Sequence, residues 1–203
     1  MLKTLDITVT LDTIPPEAAR FIDDAQSRID DFFESRRSSP VPGFVPSDFS
    51  YVYCALETIQ SKHIAPGDAF CEWGSGFGVV ASLAAMLGFE ACGIEIDEDL
   101  VTEAESLADD HDITVEFARG TFIPQHAEHH TDHANEQAWL SLGGADGYDQ
   151  IGMDPNDFDL IFAYPWPGEE DTIYKIFDAC AAVGAVLITY HGIDDVSIRR
   201  KVS

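Results

Sequence analysis

An α/β fold, a three-layer α/β/α sandwich with a mostly parallel sheet, is predicted by three features of the sequence. From residue 69 onward, short apolar runs alternate with helical patterns, the order that yields parallel strands joined by crossover helices. A sheet of that kind is covered by helices on both faces. Between the first of these strands and its helix stands a glycine-rich turn, FCEWGSGFG, with Gly74, Gly76 and Gly78 at every second position. Hydrophobic residues fill 45% of the 203 positions, enough for one well-buried core in a single domain, 1–203.

The elements follow in order. Leu5, Ile7, Val9 and Leu11 alternate with polar residues, the two-residue period of a half-buried strand. Pro15 and Pro16 open a helix in which Phe21, Ala25, Ile29, Phe32 and Phe33 share one face. It is expected to end near Arg37, because SSPVPGFVP cannot continue it. A further helix spans about 51–61, and then strands and helices alternate: strand 69–73, helix 79–87, strand 90–96, helix 97–109, strand 113–118. After a long polar interval come strand 158–164, helix 171–182 and strand 185–190. The N-terminal strand and the tail 196–202 are the candidates for an antiparallel edge. Four regions result: 1–43, a cofactor-binding half at 44–122, an insertion or lid at 123–157, and an acceptor-side half at 158–203.

Thirty-seven acidic residues against eleven basic ones give a formal charge of −26. Such a field repels a polyanion, so a nucleic-acid partner is disfavoured, whereas a cationic ligand is attracted. It also keeps the surface solvated. Cys54, Cys71, Cys92 and Cys180 form no CxxC pair, which points to a reducing, cytoplasmic setting without structural disulfides. The N-terminal stretch does not read as a signal peptide, and no apolar run is long enough to span a bilayer.

The glycine turn departs from the dinucleotide pattern G-x-G-x-x-G, because Val79 stands where its third glycine would be. Instead the sequence reads E-x-G-x-G-x-G, with Glu72 two residues before Gly74. A carboxylate there would repel a pyrophosphate and suits a ligand with positive charge and amino groups. On these residues the turn resembles the first motif of the class I methyltransferases, which bind S-adenosylmethionine on a Rossmann-like sheet. The resemblance implies that Glu72, Gly74, Ser75, Gly76 and Gly78 hold the cofactor, with Glu95 and Ile96 of GIEID at the end of the next strand. In that family, as in dinucleotide binders, the acid at Glu95 accepts ribose hydroxyls. The family's usual acid after the third strand is missing: ARGTF has Gly120 and Thr121 there, and Thr121 or a backbone carbonyl is the candidate substitute. Upstream, FVPSDFSYVYCALETI is similar to the approach sequence of the non-SET protein lysine methyltransferases, which implies that residues 44–47, led by Phe44, close over the ligand. A proline-rich linker is the competing reading of that stretch.

On the acceptor side, DFDLIFAYPWPGEED places Tyr164, Pro165 and Trp166 directly after a strand, at the sheet edge where ligands of open parallel sheets bind. The Asp or Asn and the second proline of base- and glutamine-methylating relatives are absent, so base methylation is disfavoured. Tyr164 and Trp166 read either as aromatic walls for an amine or as loop packing. Glu169, Glu170 and Asp171 either hold a cation or start a helix. His191 is a candidate proton acceptor. His126, His129, His130 and His133 would share a helical face able to chelate a metal, or mark an exposed helix of the insertion. The expected function is methyl transfer from S-adenosylmethionine to an amine on a protein, such as lysine, or on a small molecule. The alternatives are a non-catalytic S-adenosylmethionine binder of the same fold and a dinucleotide-binding oxidoreductase.

Overall fold

The structure, a computed structural model, describes residues 1–11, 13–37, 43–131, 144–193 and 195–203. Seven strands, β1 (Leu2–Thr4), β2 (Ala69–Trp73), β3 (Glu90–Glu95), β4 (Glu116–Arg119), β5 (Leu160–Ala163), β6 (Val186–Gly192) and β7 (Asp195–Lys201), form one sheet in the order β1-β7-β6-β5-β2-β3-β4. β2 to β6 are parallel to their neighbours, and β7 runs antiparallel between β6 and β1. The expected antiparallel edge is therefore present, built from the tail and from residues 2–4, just before the alternating stretch 5–11 expected to form the N-terminal strand. From the central β2 the chain moves to β3 and β4 on one side, then returns to β5 and β6 on the other. That reversal opens a crevice at the carboxyl ends of β2 and β5.

Helices cover both faces. α1 (Pro16–Ser35), α2 (Phe49–Ser61), α3 (Val79–Met86) and α4 (Glu98–Asp110) contribute Phe21, Ile29, Leu56, Leu83 and Leu107 to one core layer. α5 (Gly147–Ile151) and α6 (Glu170–Cys180) lie on the other, over Cys71, Ile94, Ile161 and Leu187. Strand residues alternate between the layers. Phe162 and Tyr190 face the first, while Ile161 and Leu187 face the second. Four helix starts have a direct cause: Pro16 opens α1, and the side chains of Asp48, Asp97 and Asp146 accept amides at the starts of α2, α4 and α5.

Two strands depart from their patterns, β1 lying ahead of the alternating stretch and β4 starting late. β1 ends at Thr4, and beyond Leu5, whose amide reaches the Ile198 carbonyl, the alternating Ile7 and Val9 pack on the core without a ladder. The alternation reports a half-buried segment, and packing alone satisfies it. β4 begins at Glu116 because Ile113 closes the end of α4, its amide donating to the Ala108 carbonyl after a left-handed Asp112. No helix among the described residues is long and apolar enough to cross a membrane.

Candidate cofactor and acceptor site

The crevice holds a cavity of about 490 Å³, lined on this side by Glu72, Gly74 and Ser75, whereas Gly76 and Gly78 are not among its lining residues. All three glycines are left-handed, but each for a different reason. A Cβ on Gly74 would meet nothing within 4 Å, so this residue leaves open space beside the cavity. A Cβ on Gly76 would strike the Phe44 ring at 2.5 Å, and one on Gly78 would strike Phe117 and Ala104. Gly76 thus admits the segment above the turn, while Gly78 lets α3 and α4 close on the sheet.

Four of the turn's amides are bonded within the protein. Those of Gly74 and Ser75 donate to the Ile94 carbonyl at 2.9 and 3.0 Å, that of Gly78 to the Ser75 carbonyl, and that of Gly76 to Glu95 Oε2 at 2.8 Å. A phosphate cradle needs such donors directed at the ligand. The helix start is taken as well: Glu72, 5% exposed, accepts the Ala81 amide in the first turn of α3 at 2.8 Å. Its carboxylate stands where a phosphate would sit on a helix N-terminus. Burial pushes the Glu72 carboxyl well above the usual carboxylate range, the Ala81 amide opposes this, and the nearby Glu95 adds to it.

Glu95, 9% exposed, also accepts the amides of Ile96 at 2.7 Å and Asp97 at 3.0 Å through Oε1. Burial raises its carboxyl too, against the pull of these three amides. The acid therefore fastens the glycine turn to the end of β3 while lining the cavity beside Ile96. At the end of β4 a Cβ on Gly120 would meet the Ala145 carbonyl at 2.4 Å and the Gly147 backbone. Thr121 pairs with this segment, its amide on Ala145 and its carbonyl receiving Gly147. Where the acid is missing, backbone from the α5 start packs instead, and Gly120 and Thr121 line the cavity there.

Phe44 lies on the turn, stacked on Phe77 with ring centroids 5.5 Å apart. Residues 43–47 line the cavity. Both ends of this segment are tied to the acceptor side of the sheet. Trp166 Nε1 donates to the Gly43 carbonyl at 3.3 Å, and the Asp48 amide donates to the Tyr190 hydroxyl at 3.2 Å. Tyr164 packs edge-on against Tyr190 at 4.8 Å, and Tyr164 and Trp166 both line the cavity.

His191 does not line it. Strand alternation turns it to the α6 side, where its Nε2 lies 2.8 Å from Thr189 Oγ1 and 3.5 Å from the Tyr174 hydroxyl. His126, His129 and His130 fall in a 3₁₀ helix, Gln125–His130, instead of the α-helix their spacing suggested. The His129 and His130 rings lie 4.0 Å apart, tilted by 41°. No three potential ligands come together for a metal among the described residues, and His133 lies outside them. Sequence reasoning missed Trp73, Phe122 and Ile173 in the cavity wall. Trp73 stacks on Phe122 at 5.0 Å. The one signal for it was its place at the end of β2.

The chain superimposes on an O-methyltransferase from Bacillus cereus with a TM-score of 0.54 and 14% identity, over 89% of this chain and 68% of that one. A methyltransferase from Geobacter sulfurreducens gives 0.51 and 14%, over 95% and 93%. The fold is that of the class I methyltransferases. An RNA methyltransferase from Salinibacter ruber shares this methyltransferase fold, with a TM-score of 0.51 and 18% identity over 77% of this chain and 92% of that one. In sequence, 61 residues are 34% identical to the ribosomal protein L11 methyltransferase of Thermus thermophilus. That match takes in 30% of this chain and 24% of the relative, about a quarter of its length. No family model matches the chain.

Proposed function

We propose that this protein is a cytoplasmic, single-domain methyltransferase that uses S-adenosylmethionine and methylates an amine on a protein or small molecule. The observation that carries the reading is Glu72 at the start of α3, beneath a turn whose Gly74, Ser75, Gly76 and Gly78 amides are bonded within the protein. Those four amides are withheld from a phosphate, and the site offers an ammonium or sulfonium a carboxylate, which disfavours a dinucleotide enzyme. Several proteins of the same fold were crystallised with S-adenosylhomocysteine, the Salinibacter ruber and Bacillus cereus enzymes among them.

S-adenosylmethionine supplies a methyl group on a sulfonium: the acceptor's lone pair takes the methyl carbon while the C–S electron pair returns to sulfur, leaving S-adenosylhomocysteine. The protein's part is placement and exclusion of water. Glu95, Ile96 and Thr121 would hold the adenosine end, Glu72 and Ser75 the amino-acid end, and Phe44 would cover them. Tyr164 and Trp166 would flank the acceptor and favour a neutral, nucleophilic amine by desolvation. No lysine, arginine or histidine lines the cavity among the described residues, so an acceptor carried on RNA, as the Salinibacter ruber enzyme's name implies, is disfavoured here.

Calorimetry with S-adenosylmethionine, S-adenosylhomocysteine and NADH tests the reading: the first two are expected to bind and the third is not. Binding of NADH alone would overturn it. Transfer of a radiolabelled methyl group to lysate proteins or metabolites then separates an enzyme from a non-catalytic binder of the same fold.

A further inference from the structure

On the α6 side of the sheet, β6 and β7 carry a cluster of polar side chains beside the apolar core layer. Thr189 and Ser197 stand directly opposite each other in the antiparallel pair, and His191 and Arg199 follow two residues further along their own strands. Tyr174 of α6 lies over them. Its hydroxyl is 3.3 Å from Thr189 Oγ1 and 3.5 Å from His191 Nε2, and the Arg199 guanidinium carbon sits 3.7 Å above its ring centre. Arg199 Nε donates to Ser197 Oγ at 3.3 Å. Thr189 is fully buried and the other four are partly exposed. None of these residues lines the cavity.

We propose that Tyr174, Thr189, His191, Ser197 and Arg199 form a binding site for a single phosphate group, free or as the monoester of a small molecule. A count of donors carries the inference. The guanidinium has five N–H groups in a rigid fork, and the one on Nε is used within the cluster. Its Nη groups meet no acceptor among the described residues, and no carboxylate pairs with Arg199 there. The three hydroxyls and the imidazole bond to one another or to Arg199, so they are held in place and add donors without adding an anion. The α6 acids within a turn of Tyr174 are placed elsewhere: Glu170 accepts the Gly168 amide, Asp171 is exposed, and Asp178 pairs with the N-terminal ammonium. Lys201, on the same side, donates to the Ala181 carbonyl at 2.7 Å and extends the positive field. A surplus of fixed donors around a guanidinium suits an oxyanion. Donors drawn from two strands and a helix fit a tetrahedral anion, whereas a planar carboxylate needs the guanidinium fork alone. With 37 acidic residues against 11 basic ones, the chain repels a polyanion at long range, so the ligand is one phosphate group and not a nucleic acid. This site is independent of the cofactor reading.

The test is protein-observed NMR on the full chain, titrated with inorganic phosphate and with glycerol 3-phosphate at constant ionic strength set by sodium chloride. Both are expected to give saturable shifts at Tyr174, Ser197 and Arg199 that added S-adenosylhomocysteine leaves unchanged. Tighter binding of glycerol 3-phosphate identifies a monoester as the ligand, and equal or weaker binding identifies the free ion. Arg199→Gln is expected to weaken binding roughly 10- to 150-fold, the scale of a charge-assisted hydrogen bond. Arg199→Lys keeps the charge but loses the fork, and is expected to bind about tenfold more weakly. Tyr174→Phe keeps the ring beneath the guanidinium, and therefore the packing, and is expected to lose affinity several-fold. Absence of a saturable shift, equal shifts with chloride alone, or unchanged affinity in Arg199→Gln would each overturn the proposal. Displacement of phosphate by S-adenosylhomocysteine would place the anion in the cavity and overturn it too.

Discussion

Glu72 serves the fold and, on the proposed reading, sets the ligand's chemistry at once. It satisfies an amide at the start of α3 that no side chain of Gly78 can reach. The cost is a buried carboxyl whose pKa is raised chiefly by burial. Between its unfolded value of about 4.3 and the higher native one, the folded protein holds more protons than the unfolded chain. Stability from this group therefore falls as pH rises through that window. A cation bound beside it favours the carboxylate, so cofactor binding is expected to release a proton and to strengthen with pH across the same window. Calorimetry in two buffers of different ionisation enthalpy measures that release. Glu72→Gln still accepts the Ala81 amide, and it is expected to reduce proton release and weaken S-adenosylhomocysteine binding by about 1.5–3 kcal/mol, roughly 10- to 150-fold. Equal affinity and equal release in the variant would refute the role. The acid and the three glycines were legible in the sequence. That Gly76 makes room for Phe44 and Gly78 for Phe117 was not, because those rings come from distant segments.

Among the elements, the segment 43–48 is built as a roof. Phe44 rests on the glycine turn, the Gly43 carbonyl is held by Trp166, and the Asp48 amide is held by the Tyr190 hydroxyl. Trp166→Phe keeps most of the ring surface and deletes the indole donor. It is expected to change folding stability by only about 1 kcal/mol, as one partly exposed hydrogen bond allows, and to speed cofactor release by loosening one end of the roof. Stopped-flow fluorescence measures that release; an unaltered off-rate would remove Trp166 from the closure. The sequence suggested closure by residues 44–47 through resemblance to a family's approach segment. It could not show the fasteners, which lie more than a hundred residues away. Periodicity read the elements of the alternating core well: β2 spans the five residues expected, and α3, β3 and α4 fall within a residue or two. It erred where a segment packs without pairing, as at 5–11, and where six residues wind as a 3₁₀ helix.

At the scale of the whole molecule, the charge of −26 is unevenly spread. Lys3, Arg199, Arg200 and Lys201 gather on the β1–β7 ladder, where Lys3 faces Arg200. Like charges opposed across a ladder are normally unfavourable, but here they sit in an otherwise anionic field. Self-repulsion of the remaining acids is expected to make stability rise with salt, as the Debye length shrinks from about 30 Å at 0.01 M to about 3 Å at 1 M. For a domain of this size, each ~1 kcal/mol gained moves Tm by about 2–4 °C. Scanning calorimetry across that range checks this, and a flat or falling Tm would contradict it. The sign of the net charge was plain in the composition, whereas its sorting required the sheet order. The carboxyl that β2 presents to the start of α3 has a last consequence, one of competition in a mixture. ATP and NAD share adenosine with the proposed cofactor and would be rivals for any slot that reads adenosine alone. With Glu72 already resident at the helix start where their phosphates would settle, such rivals are expected to be turned away by prior occupancy.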